Sequence, residues 1–134
     1  MKLITRDTDY ALRAICSIAK HKGKVVSVAD LVKESKIPRP FLRKILQVLN
    51  KKGILHSYKG IGGGFVLAIE PRKIFLTDLI RIFQGEFRLN ECFFKKAKCP
   101  HTAGCPLRKK ICDIEAYVVK ELKLINIGSL LEDK

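Results

Sequence analysis

Apolar residues recur at helical spacing along most of this chain, and the breaks in that spacing mark its turns. Leu12, Ile15, Cys16 and Ala19 share one face of a helix predicted over residues 8–22, which places Cys16 in the core. Ser27 is an N-cap with Asp30 three residues on, and Val28, Leu31 and Val32 lie on a common face of a short helix reaching about Ser35. A third helix starts near Pro38 to Pro40, where a proline in the first turn loses no hydrogen bond, and stops before Gly53. Phe41, Leu42, Ile45, Leu46, Val48 and Leu49 fill one arc of it, and Arg43, Lys44, Gln47, Asn50 and Lys51 the opposite arc.

After Gly53 the period changes to that of strands. Residues 54–58 and 65–69 form a hairpin joined by Lys59-Gly60-Ile61-Gly62-Gly63-Gly64. Pro71 closes the hairpin, and Thr77 caps a short helix that runs through Gln84 to Gly85. From 107 to 125 an apolar stripe returns at Leu107, Ile111, Ile114, Val118, Leu122 and Ile125, which predicts one long helix. The fold class is therefore mainly α with a small two-stranded β wing: a winged helix-turn-helix plus a long C-terminal dimerisation helix. Residues 1–84 form the DNA-binding domain, 85–106 a cysteine-rich cluster-binding loop, and 107–134 the dimerisation helix and a C-terminal tail.

Charge changes what this fold is for. The net charge is +14 over 134 residues, and a molecule so basic repels itself unless a polyanion neutralises it. From Ser35 to Ile69 there are seven basic residues, Lys36, Arg39, Arg43, Lys44, Lys51, Lys52 and Lys59, and no acidic one. An ordinary solvated helix face mixes signs, so the polar arc of the third helix is read as a face for double-stranded DNA. Arg39 and Arg43 stand near the helix N-terminus for base edges, Gln47 beside them, and Lys44, Lys51 and Lys52 for phosphates. In the wing, Lys59 is the charged tip, and the bare backbone of Gly60 and Gly62 can approach a phosphate or a minor groove closely.

Other chemistries fit less well. The dinucleotide fingerprint fails where Phe65 takes the third glycine position and opens a strand, and no Gly-Lys-Ser/Thr ends a phosphate loop. His21, His56 and His101 are scattered and no nucleophile and base pair up, so the chain does not read as an enzyme. Lys2, Arg6, Asp7 and Asp9 interrupt the first residues, no apolar run is long enough to span a membrane, and the expected setting is the cytoplasm.

Cysteine supplies the remaining signal. Cys92-x6-Cys99-x5-Cys105-x6-Cys112 lacks the close pairs of structural zinc sites. Pro100, Gly104 and Pro106 nevertheless interrupt helix there, leaving a loop able to turn thiolates toward one point, and Lys95, Lys96, Lys98, Arg108, Lys109 and Lys110 would offset the negative charge of a thiolate-ligated iron-sulfur cluster. Thiols without a metal in a loop are the other reading. Cys112, next to Ile111 on the long helix, is expected to pack. The stripe on that helix needs a partner, and a second copy of the chain would set two recognition helices about 34 Å apart, one per successive major groove of a palindrome.

Three segments together carry a family resemblance: Thr8-Asp9-Tyr10-Ala11-Leu12-Arg13, the wing from Lys59 to Phe65, and Cys92, Cys99 and Cys105 followed by Pro106-Leu107. Over nearly its whole length the chain resembles the winged-helix regulators typified by IscR, NsrR and CymR. The resemblance implies a homodimer on palindromic promoter DNA. In the cluster-bearing branches it also implies a 2Fe-2S or 4Fe-4S cluster on the three cysteines, sensing iron-sulfur status, nitric oxide or redox state. Where many relatives have a histidine ligand, this chain has Arg108, which does not ligate iron. In the nitric-oxide-sensing branch an early aspartate reaches the partner's cluster, and Asp9 matches it; a carboxylate favouring the first turn of a helix is its other reading. His101 and Cys112 are outside candidates. A metal-free regulator controlled by thiol oxidation or a protein partner, and an electron-transfer iron-sulfur protein, are the competing functions.

Overall fold

Helix α1 (Arg6–Lys20) is the central element of a computed structural model that describes residues 3–87 and 106–132. It packs against α2 (Val28–Ser35), α3 (Arg39–Lys51) and α4 (Leu76–Gln84). Ala11, Ala14, Ile15 and Ile18 project from it into a core shared with Leu31, Ile37, Leu42, Ile45, Leu46 and Leu49. Each such aliphatic side chain contributes about 1.5–3 kcal/mol by leaving water, so the helix-turn-helix is held from behind by apolar packing and its outer surface is left for other work.

The local signals act mostly where the sequence places them. Ser27 Oγ accepts from the Asp30 N–H at 3.1 Å, and Lys36, in the left-handed region at φ 59°, ends α2. Helix α1 begins at Arg6 rather than Thr8 because Thr5 caps it, and it ends at Lys20 rather than Lys22, which is already turning at φ 48°. In α4 the expected cap is wrong: the helix starts at Leu76, and the carboxylate of Asp78, not the Thr77 hydroxyl, reaches back to accept from the Phe75 N–H at 3.2 Å.

The hairpin pairs β1 (Leu55–Tyr58) with β2 (Gly64–Leu67), antiparallel, with Leu55 opposite Leu67 and Tyr58 opposite Gly64. It is the only sheet among the described residues. A further bridge joins Phe65 to Val26, each N–H donating to the other's carbonyl at 2.9–3.0 Å, so the wing is tied to the residues just before α2.

Helix α5 (Pro106–Leu122) stops short of Ile125, and the segment expected as a tail is a helix, α6 (Ile127–Glu132). Asn126 and Ser129 cap it reciprocally: Asn126 Oδ1 accepts from the Ser129 N–H at 2.8 Å, and Ser129 Oγ accepts from the Asn126 N–H at 3.2 Å. The Ile127 N–H donates to Ile74 O at 2.9 Å, Arg72 of a 3-10 turn (Pro71–Lys73) pairs with Glu132, and Ile127 is wholly buried in the main core.

Two side chains depart from the periodic reading. Phe41, assigned to the buried arc of α3, is 41% exposed; it sits in the first turn, beyond the core, under the Arg6 guanidinium at 4.6 Å from its ring centroid. Cys112, expected to pack, is exposed on α5. That helix buries its C-terminal end, where Leu122 meets Leu76 and Ile80 with Val118 alongside, while Leu107, Ile114 and Tyr117 stay in solvent.

Candidate nucleic-acid interface

Helix α3 turns its apolar arc inward, and that fixes where its polar residues go. At about 100° per residue, Arg39, Arg43, Gln47 and Asn50 form one stripe, with Lys44 and Lys51 on its flank. All six are exposed. Pro38 and Pro40 start the helix without a side-chain cap, Pro40 having no N–H that would need one, and the Leu42 N–H donates to Pro38 O at 3.0 Å.

The wing supplies the facing wall. Arg43, Gln47 and Asn50 from α3, Val28 from α2, and Tyr58, Lys59, Gly60 and Gly63 from the hairpin line one open cleft of about 550 Å³. Gly64 sets how closely the wing approaches the helix-turn-helix, since a Cβ there would lie 2.1 Å from Val26 O. At the tip the Gly63 N–H donates to Gly60 O at 3.0 Å and Gly62 takes φ 77°, a tight turn that a side-chain-bearing residue adopts only with strain.

The expected DNA-binding residues therefore divide into two groups. Arg43, Gln47, Lys59 and Gly60 share the cleft, whereas Arg39, Lys44 and Lys51 are exposed on α3 without lining it and Gly62 belongs to the wing tip. Among the described residues the ion pairs Arg6–Asp7, Arg13–Asp9, His21–Glu34 and Arg72–Glu132 all lie away from these cations. Cations around a polar cleft attract phosphate and leave hydrogen-bonding groups for base edges.

The sequence reading misses Arg6 and Tyr58. Arg6 belongs to α1, yet its guanidinium lies over Phe41 and 6.0 Å from the Tyr10 ring centroid, which brings a cation to the start of the recognition helix. No sequence signal links the two, since the helical period puts Phe41 on the buried arc. Tyr58, 54% exposed at the end of β1, was legible as the last residue before the Lys59 turn.

Cys92, Cys99 and Cys105 lie outside the described residues, as does His101. Among the described residues no three metal-ligating side chains gather. Asp9 binds the Arg13 guanidinium at 3.1 Å within its own chain and sits in the first turn of α1, and Arg108 is exposed near the start of α5. On the N-terminal side of the cysteine segment, Gln84 ends α4 by joining it to α1: its Oε1 accepts from the Thr5 N–H at 2.9 Å and from the Thr8 hydroxyl at 2.7 Å, and its Nε2 donates to Leu3 O at 3.3 Å. No helix among the described residues is long and apolar enough to cross a membrane.

Comparison with known proteins agrees with this geometry. Residues 4–133 match the profile of a family described as Rrf2, iron-dependent transcriptional regulator. The chain is 34% identical over 110 residues to the HTH-type transcriptional regulator NsrR of Bacillus licheniformis, covering 81% of this chain and 76% of that protein. It is 31% identical over 134 residues to NsrR of Shouchella clausii, covering 90% and 88%. CymR, the global cysteine regulator of B. subtilis, has the same fold, with a TM-score of 0.83 over 100% of this chain and 99% of that one at 22% identity. T. potens IscR superposes at 0.69 with 27% identity over 99% and 88%. These proteins are similar to the chain as regulators, not as enzymes.

Proposed function

The chain belongs to the Rrf2 family of iron-dependent transcriptional regulators, and on that premise we propose that it acts in the cytoplasm as a homodimer on palindromic promoter DNA and reads a signal through an iron-sulfur cluster. The observation that carries the DNA contact is the cleft that sets Arg43 and Gln47 of α3 opposite Lys59 and Gly60 of the wing. A helix in a major groove with a wing over the neighbouring backbone uses both walls at once. Arg39, Lys44 and Lys51 then bind phosphates along the flank. The second subunit is supported by the uncovered apolar side chains of α5, Leu107, Ile114 and Tyr117, which need a partner of the same character.

The cluster rests on donor chemistry. Three thiolates in a cationic segment suit iron and sulfide, and the resemblance to cluster-bearing regulators implies that the holders would be Cys92, Cys99 and Cys105. A bound cluster supplies a centre that changes charge and reacts with oxidants or nitric oxide. Asp9 of the partner subunit is the proposed fourth ligand, which requires that it exchange its Arg13 pairing. On the protein's side, Gln84 holds α4 to α1 at the threshold of the cysteine segment, and α1 in turn holds Phe41 through Arg6. A cluster held by residues 91–105 would thereby bear on the start of the recognition helix and on α5.

A second reading, a metal-free regulator answering thiol oxidation or a protein partner, is favoured by Arg108 where a histidine ligand would stand and by the exposed Cys112. Iron, sulfide and the visible spectrum of protein purified without oxygen, repeated for Cys99→Ala, separate the two. Stoichiometric iron and sulfide, lost in the variant, are expected; colourless protein that still binds DNA would move sensing to the thiols. Equal promoter affinity of cluster-loaded and cluster-free protein at matched salt would refute the coupling.

A further inference from the structure

Ile61 is more exposed, at 109%, than any other large apolar side chain among the described residues. Nothing in the fold requires it there. A turn of this geometry accepts asparagine, serine or lysine at the same position, and an isoleucine in water forgoes the burial that favours its type in cores. Its presentation is also fixed. Gly60 and Gly63 close the turn by a 3.0 Å hydrogen bond, Gly62 at φ 77° directs the chain back, and the base of the hairpin is bonded to Val26 on the helix-turn-helix. Lys59 and Gly60, immediately before it, line the cleft with Arg43.

We propose that Ile61 is an apolar contact for the minor groove of DNA, seated against the base step beside the half-site when α3 occupies the major groove. The inference rests on the DNA-binding reading above and goes beyond it by assigning the wing tip a preference among sequences. Phosphates offer an alkyl side chain nothing, so cation-rich surroundings alone would select a polar residue here. The floor of a minor groove is apolar enough to receive a branched alkyl group, and proteins that read this groove use such side chains as wedges. A G·C pair carries its 2-amino group into that space whereas an A·T pair does not, so the contact favours A·T at the flanking step.

The test uses the full chain and a duplex selected by the unaltered protein from a random-sequence library, with the flanking step rebuilt as A·T, inosine·C or G·C. Affinity is read by fluorescence anisotropy over a salt series, and folding by circular dichroism. The unaltered protein should bind A·T and inosine·C duplexes alike and the G·C duplex about tenfold more weakly. Ile61→Ser should weaken A·T binding by about tenfold, abolish the discrimination and leave the salt slope unchanged, because no charge is lost. Ile61→Val should retain most of the preference. If Ile61→Ser binds all three duplexes as the unaltered protein does, the tip is not a groove contact and the inference falls while the DNA reading stands. If the library yields no duplex at all, the DNA reading fails, and this inference with it.

Discussion

Helices α3 and α5 are both amphipathic and both leave half their surface uncovered, but they uncover opposite halves. Helix α3 buries Leu42, Ile45, Leu46 and Leu49 and presents arginine, lysine and amide groups. Helix α5 buries only Leu122 fully and presents Leu107, Ile114 and Tyr117. The first surface is complete in water and gains energy only from an anion. The second is costly in water and is satisfied by another apolar face. One chain thus states two binding chemistries through which side of each helix its core accepts.

The contrast is sharpest in the core. Leu46→Ala should cost about 2–5 kcal/mol of folding stability in urea denaturation, while Ile114→Ala on the apolar face of α5 should change the stability of a single subunit by about 0.5 kcal/mol or less. A comparable loss from both would mean that α5 is packed within its own chain. Ile114→Glu puts a charge into the proposed dimer contact: light scattering should show monomers, and affinity for a palindrome should fall about a hundredfold as two linked contacts become one. A dimer that survives the substitution would place the contact elsewhere.

On α3 the same logic separates two kinds of cation. Arg43→Ala should lose about 1–3 kcal/mol on the selected site and less on random DNA, whereas Lys51→Ala should weaken all sequences alike and reduce the salt slope by about 1. Identical profiles would make Arg43 a phosphate contact.

The smallest effect concerns the joint between α1 and α2, against which α3 packs. Ser17 Oγ donates to Glu34 at 2.8 Å and His21 Nε2 pairs with the other oxygen at 2.8 Å. The Ser17 hydrogen bond foremost, then His21, holds the Glu34 carboxyl below its ordinary value of 4.5. A depressed carboxylate favours the fold above that value, and its contribution disappears as pH falls through the lower, folded-state value. Both partners are about a third exposed, so solvent screens the effect. Glu34→Gln should flatten the acid limb of a stability-versus-pH curve below about 4.5 and leave the neutral region almost unchanged; an acid limb of the same slope would remove Glu34 from the account.

Much of this is visible in the sequence because it is local. The α3 arcs, the Ser27 cap and the glycine-rich turn each lie within one short window and fold close to where it puts them, though Gly64, expected in the turn, opens β2, and the strand expected to reach Ile69 ends at Leu67. What escapes is non-local or one-ended. Phe41 obeys the period but lies past the end of the core, where Arg6, from another helix, covers it. Gln84 is separated by 79 positions from the Thr5 N–H it binds, and no spacing rule links them. Helix α6 is a different case, since Asn126 and Ser129 are a readable pair of reciprocal caps. Its brevity and Gly128 disguise it beside the longer stripe of α5.

The docking of α6 also has a consequence for how the molecule is made. Ile127 completes a core whose other buried members, from Ala11 to Leu79, emerge from the ribosome much earlier, and contacts so distant in sequence form late. The core that backs the helix-turn-helix is therefore complete only once residues 127–132 have been synthesised. By then the whole cysteine segment has been translated, so no nascent chain completes this core before residues 92–105 exist.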